Sequence, residues 1–133
     1  MTSARDAGRS AARRGQAWQR ECAAAARLWF PAADHVGRFP APGAGDLTGV
    51  GDRIIECTVQ PMGNLAAKLR QAESDAVRAE FGEFYVVKKA PGERPERAYA
   101  ITRAGALWPL LARLDRLEGM LDEANAELLE ARR

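Results

Sequence analysis

The chain has 133 residues, 47% hydrophobic and 29% charged, with a formal net charge of +2. That length suits one domain with a core of its own. No apolar run reaches membrane-span length and no secretory leader pattern opens the chain, so the expectation is a cytoplasmic or nucleoid-associated protein without a membrane partner. Cys22 and Cys57 stand among small apolar residues and make neither a disulfide framework nor a zinc motif, and His35 stands alone.

Residues 1–12 are small, polar and basic without periodicity, and are expected to form a flexible arm. Arg5, Arg9, Arg13, Arg14 and Arg20 face only Asp6 before Glu21, which suits either phosphate neutralisation or a solvated tail. From about Gly15 to Phe30 an alanine-rich helix is predicted, with Trp18, Cys22, Ala25 and Trp29 at helical spacing and Pro31 ending it. His35–Phe39 reads as a short strand, and residues 40–45 as a proline- and glycine-rich loop.

Two strands follow, about Asp46–Val50 and Arg53–Gln60, with a hairpin-like turn at Gly51-Asp52. A helix from Met62 to about Glu80 carries Leu65, Leu69, Ala72 and Ala76 on one face, and Lys68, Gln71, Asp75 and Arg78 on another. Gly82 is expected to close it. Phe84–Lys89 is the clearest strand, with Arg97–Thr102 as its antiparallel neighbour. Pro109 suits a first helical turn, so the last helix is predicted to begin near Trp108. Leu110, Leu114, Leu117, Leu121, Ala124 and Leu128 then mark a heptad seam, which fits packing on the same domain or dimerisation.

The element order predicts an α/β (α+β) domain with a central mixed sheet flanked by helices. In outline, residues 1–12 are the arm, 13–103 the core and 104–133 the C-terminal helix.

Side chains alternate along a strand, so Ile55, Cys57 and Val59 are expected to enter the core while Glu56, Thr58 and Gln60 share the opposite face. Asp46, on the strand before, brings a second carboxylate. Two carboxylates with nearby carbonyls suit a hard cation such as magnesium or manganese, which in turn suits phosphodiester hydrolysis. Spacing alone leaves other roles open: Asp46 could cap a turn, and Glu56 could pair with a lysine or arginine.

Taken together, these features resemble the PD-(D/E)xK nuclease superfamily, and within it the Holliday junction resolvase-like proteins of phages and archaea. Arg14-Gly15 opens the helix that contains Glu21, and Arg38 precedes the glycine-rich loop. Gly45-Asp46-Leu-Thr-Gly49 is similar to a Gly-Asp-Ile-x-Gly element, and Ile55-Glu56-Cys-Thr58 is similar to Val-Glu-Val-Lys. The helix from Leu65 to Ala76 and the strands at Val86–Lys89 and Ala98–Thr102 continue the likeness across residues 13–115.

The resemblance implies a restriction-endonuclease-like αβββαβ core and a homodimer that cuts branched DNA in recombination. It implies metal ligands Asp46 and Glu56, with Glu21 as a further contributor, and phosphate contacts from Arg13, Arg14, Arg38, Lys88 and Lys89. Thr58 stands where the resemblance places a catalytic lysine. Lys68, Lys88 or Gln60 could serve in its place, with Lys68 the first choice. Two other readings are a catalytically silent DNA-binding or assembly subunit on the same fold, and a winged-helix protein using residues 84–102 as its wing.

Overall fold

A computed structural model describes residues 3–36 and 45–133. Ser3 caps the first helix, α1 (Ala4–Ala26), its hydroxyl accepting the Asp6 amide hydrogen bond. The expected flexible arm is therefore helical from Ala4. Alanine is the strongest helix former, and a serine three residues before an acid is a helix-opening pair. The helix also stops earlier than predicted, at Ala26, so Trp29 falls outside it and is 81% exposed.

Strands β1 (Asp34–His35) and β2 (Leu47–Thr48) pair antiparallel. The longer strand β3 (Arg53–Thr58) joins a second sheet of order β3-β4-β5, with β4 (Glu83–Lys88) and β5 (Tyr99–Ile101). β3 and β4 run parallel and β4 and β5 antiparallel, giving a small mixed sheet. The predicted hairpin between the second and third strands is thus not the pairing formed. The segment between them turns on Gly49 and Gly51, both at φ near +70°. At Gly49 a β-carbon would also collide with the Ala32 carbonyl, so β2 is held against β1.

The two sheets meet at Asp46. Its amide donates to the Ile55 carbonyl at 2.8 Å, and its own carbonyl accepts from the Val36 amide at 3.1 Å. One residue therefore stitches the edge of β3 to the chain leaving β1.

Both faces of the second sheet are covered. Helix α1 lies on the Cys57 face, where Trp18, Cys22, Ala23 and Cys57 form the core with Leu47 and Val50. Trp18 is 1% exposed, and its indole N–H donates to the Val87 carbonyl at 3.2 Å, satisfying the one polar group this large side chain brings inside. Helix α2 (Leu65–Ala79), entered through a 3-10 turn at Met62–Asn64, packs on β3 and β4. Its buried residues are Ala72, Asp75 and Ala76, so Asp75 lies inside and not on the predicted polar face. Residues 68, 72, 75 and 79 recur at steps of four, three and four, a helical stripe that the small side chains of alanine made easy to overlook.

Glu80, not Gly82, ends α2. It takes a left-handed conformation (φ 59°), its amide donates to Val77, and the Phe81 amide donates back to Ala76 at 2.9 Å. This is the Schellman arrangement, normally completed by glycine. The last helix, α3 (Ala104–Ala131), starts four residues before the predicted Trp108 and holds Pro109 within its second turn. The bonds from the Ala106 and Leu107 amides to the Arg103 carbonyl nucleate the helix upstream of the proline.

Residues 1–102 form one unit and 103–133 a second. Among the described residues the fold is mixed α+β, with a small mixed sheet and three α-helices.

Candidate functional site

Parallel, in-register pairing places matched residues of β3 and β4 on the same face. Ile54 stands beside Phe84, Glu56 beside Val86, and Thr58 beside Lys88. This face lies beneath α2, so the two members of the expected polar row that lie within β3 are buried, Glu56 7% exposed and Thr58 5%, as is Lys88 beside them at 7%. Gln60, past the strand end, stays exposed.

Asp46 and Glu56 do come together. One Asp46 oxygen, Oδ2, accepts the Cys57 amide at 2.7 Å, so the side chain takes the place a backbone carbonyl would hold along the edge of β3. Burial, followed by the neighbouring Asp46 charge and hydrogen bonding to it, pushes Glu56 up from 4.5 to about 8. The positive charge of Lys68 works in the opposite direction, while Asp75 adds to the rise. Glu56 thus keeps its proton at neutral pH, because two carboxylates this close and this dry cannot both ionise.

Asp75 was not singled out as a site residue from sequence. It is 2% exposed and pairs with Arg78 at 3.0 Å, which supplies the countercharge its burial requires. The recurrence with Lys68 and Ala72 along one stripe of α2 was the signal that could have found it.

Asp46 lines a cavity of about 790 Å³, and Glu56 does not reach its wall. Asp46, Thr58, Gln60, Lys68, Lys88 and Lys89 line one side, and Arg14, Gln19 and Glu21 of α1 line another. Among its charged lining residues, Arg14, Lys68, Lys88 and Lys89 outnumber Glu21 and Asp46. Lys88 donates to the Lys89 carbonyl at 3.3 Å, and the Lys89 ammonium lies 5.5 Å from the centre of the Trp18 ring, whose π face favours a cation there. The Thr58 hydroxyl accepts the Gln60 amide at 3.1 Å, which ties down the strand end. The Gln60 side-chain oxygen accepts from Asn64.

Lys68 and Lys88 therefore both reach the cavity, as do Gln60, Lys89, Arg14 and Glu21. Arg13 is exposed on α1, in line with Arg5 and Arg9 at steps of four residues, so the helix carries a basic ridge. Arg38 lies outside the described residues.

The donor set fits a hard, oxygen-seeking divalent ion better than zinc. An ion that displaced the Glu56 proton would find oxygen ligands in Glu56 and the second Asp46 oxygen, and the Gln19 side-chain oxygen, in the cavity that Asp46 also lines, is buried without a hydrogen-bond partner. Among the described residues no three His, Cys, Asp or Glu side chains converge, so Glu21 shares the cavity without joining the carboxylate pair in one cluster. Two protein carboxylates with water completing the shell is a common magnesium arrangement. Searches against protein-family models, curated proteins and solved structures find no match to this chain.

Proposed function

We propose that this protein is a metal-dependent, structure-selective DNA endonuclease, similar to Holliday junction resolvases and acting on branched DNA. The observation that carries the reading is the approach of buried Glu56 to half-buried Asp46, which lines a cavity together with Arg14, Lys68, Lys88 and Lys89. Two carboxyl groups held this close must share a proton or take a cation between them, and the surrounding cations suit a phosphodiester.

Asp46 and Glu56 would hold magnesium or manganese, which supplies Lewis acidity toward the phosphodiester and a more acidic bound water. Lys68 and Lys88 then supply the positive charge that Thr58 cannot, one from α2 and one from the strand position beside Thr58. The ridge of Arg5, Arg9 and Arg13, with Arg14 nearer the cavity, offers phosphate contacts that position DNA by its shape.

Cleavage of a synthetic four-way junction with magnesium tests the reading. Asp46→Asn and Glu56→Gln are expected to cost at least about a hundredfold in rate while leaving junction binding in calcium within a few-fold of wild type. Lys68→Met and Lys88→Met identify which ammonium group matters to the rate. Absence of cleavage by the wild-type protein, with junction binding intact, would instead support a silent DNA-binding subunit on the same fold. One observation favours that second reading: the Thr58 hydroxyl is engaged with the Gln60 amide and brings no charge. The winged-helix reading has less support, because the β4–β5 hairpin continues into a parallel strand, β3, instead of standing alone.

A further inference from the structure

We infer that α1 carries two separate phosphate-binding faces, one on the cavity and one turned away from it, and that together they grip two different arms of a branched DNA. The inference rests on the DNA-binding reading of the cavity and deepens it, because it lets a single chain tell a junction from a linear duplex.

Every residue from Ser3 to Arg14 is exposed, so about three turns of α1 stand clear of the core. The arginines there do not point one way. At about 100° per residue, Arg5, Arg9, Arg13 and Arg20 fall within an arc of roughly 80°, a stripe about 22 Å long. Arg14 lies roughly 135° from the middle of that stripe. The cavity shows the same division: Arg14 lines it, and Arg5, Arg9, Arg13 and Arg20 do not. DNA seated against Arg14, Lys68, Lys88 and Lys89 therefore leaves the stripe uncovered.

The stripe is unbalanced as it stands. All four of its arginines are exposed, and none forms an ion pair with a described residue. Asp6, the only acid before Glu21, is engaged by the Ser3 hydroxyl at 2.7 Å. Like charges four residues apart repel, and a cation in the first turn opposes the helix dipole. An external polyanion relieves both. At about 3.4 Å per phosphate along a strand, the stripe spans six or seven base pairs of a duplex, a length that suits an arm of DNA better than a compact anion.

One linear duplex does not serve both faces. Between the stripe and Arg14, on the side away from the core, stand Asp6, Ser10 and Glu21, so a single groove filled by the helix would meet two carboxylates. Nor does a duplex with a persistence length of about 150 base pairs bend cheaply around a helix about 10–12 Å across. A branch point supplies the second arm in a new direction without that bending.

The test measures binding in calcium, so cleavage is not needed. Wild type should hold an immobile four-way junction at least about tenfold more tightly than a linear duplex of equal length, with a salt slope steeper by about 3–4, since each phosphate contact contributes about 0.9. Combining Arg5→Gln, Arg9→Gln, Arg13→Gln and Arg20→Gln should bring junction affinity to within about threefold of duplex affinity and remove the extra slope. Glutamine is a good helix former, so the circular dichroism should not change. The same four positions changed Arg→Lys should keep the preference, because a phosphate contact needs the charge. Equal losses on junction and duplex would overturn the inference, as would a junction preference that survives the glutamine changes, the result expected if the stripe serves an anionic lipid surface. If these differences hold but wild type does not cut, the endonuclease reading fails and the two-faced helix stands. A wild type that binds neither DNA overturns both.

Discussion

Replacing Glu56 with glutamine should remove most of the pH dependence of stability that the carboxylate pair creates. With Glu56 near 8 in the folded protein and near 4.5 otherwise, the folded state holds a proton between those values that the unfolded chain has released. Unfolding free energy therefore falls as pH rises across that interval. The stabilisation is fully present below about pH 4.5 and is lost as pH passes through about 8. A displacement of that size corresponds to about 3–5 kcal/mol, a large part of the stability of a domain this small. Urea unfolding of wild type and Glu56→Gln, followed at pH 5 and pH 9, measures it. The stability of the variant relative to wild type should rise by that amount between the two pH values, because glutamine has no proton to lose. If magnesium occupies the pair, adding it at pH 9 should restore stability to wild type and not to the variant. A wild-type minus variant difference that stays constant within about 1 kcal/mol between pH 5 and 9 would refute the account of Glu56 as a buried, proton-sharing group.

Three further outcomes follow from local geometry. Glu80→Gly should stabilise the protein by about 0.5–1 kcal/mol in the same unfolding assay, because the αL position that completes the Schellman motif disfavours a side chain. Gly49→Ala should destabilise it by about 2–4 kcal/mol, combining positive φ with a collision at the Ala32 carbonyl. The Cys57 thiol, pushed up by the hydrogen bond to Cys22 and by burial, should resist a disulfide reagent in native buffer and react only as denaturant opens the core; rapid stoichiometric labelling would contradict that environment.

The strands at 53–58 and 83–88 were legible because their β-branched and aromatic residues leave few alternatives, and α2 because its alanines and leucines repeat at helical spacing. What the pattern could not supply was pairing. Alternation showed that Glu56 and Thr58 share a face, yet parallel pairing with β4 and coverage by α2 turned that face into an interior. Asp75 was missed for a related reason: a carboxylate reads as solvent-facing until its helix neighbours are known to be buried. The start of α1 was hidden because arginine-rich sequence suggests a loose arm, although alanine makes most of those residues good helix formers. The paired carboxylates were the clearest part of the site in sequence, and Arg14, Lys68, Lys88 and Lys89 were each named there, though their convergence on one cavity came only with the fold.

Asp46 has two employments and Glu56 only one. The Asp46 main chain stitches the sheets, and its side chain seals an amide on the edge of β3, so foldability alone would keep an aspartate or asparagine there after any chemistry had lapsed. Glu56 is a liability to the fold, and an uncharged residue of similar shape would sit there more comfortably. Across descendants of this chain, selection for folding and selection for catalysis should therefore part company at position 56, where a surviving glutamate speaks for activity in a way that a surviving Asp46 does not.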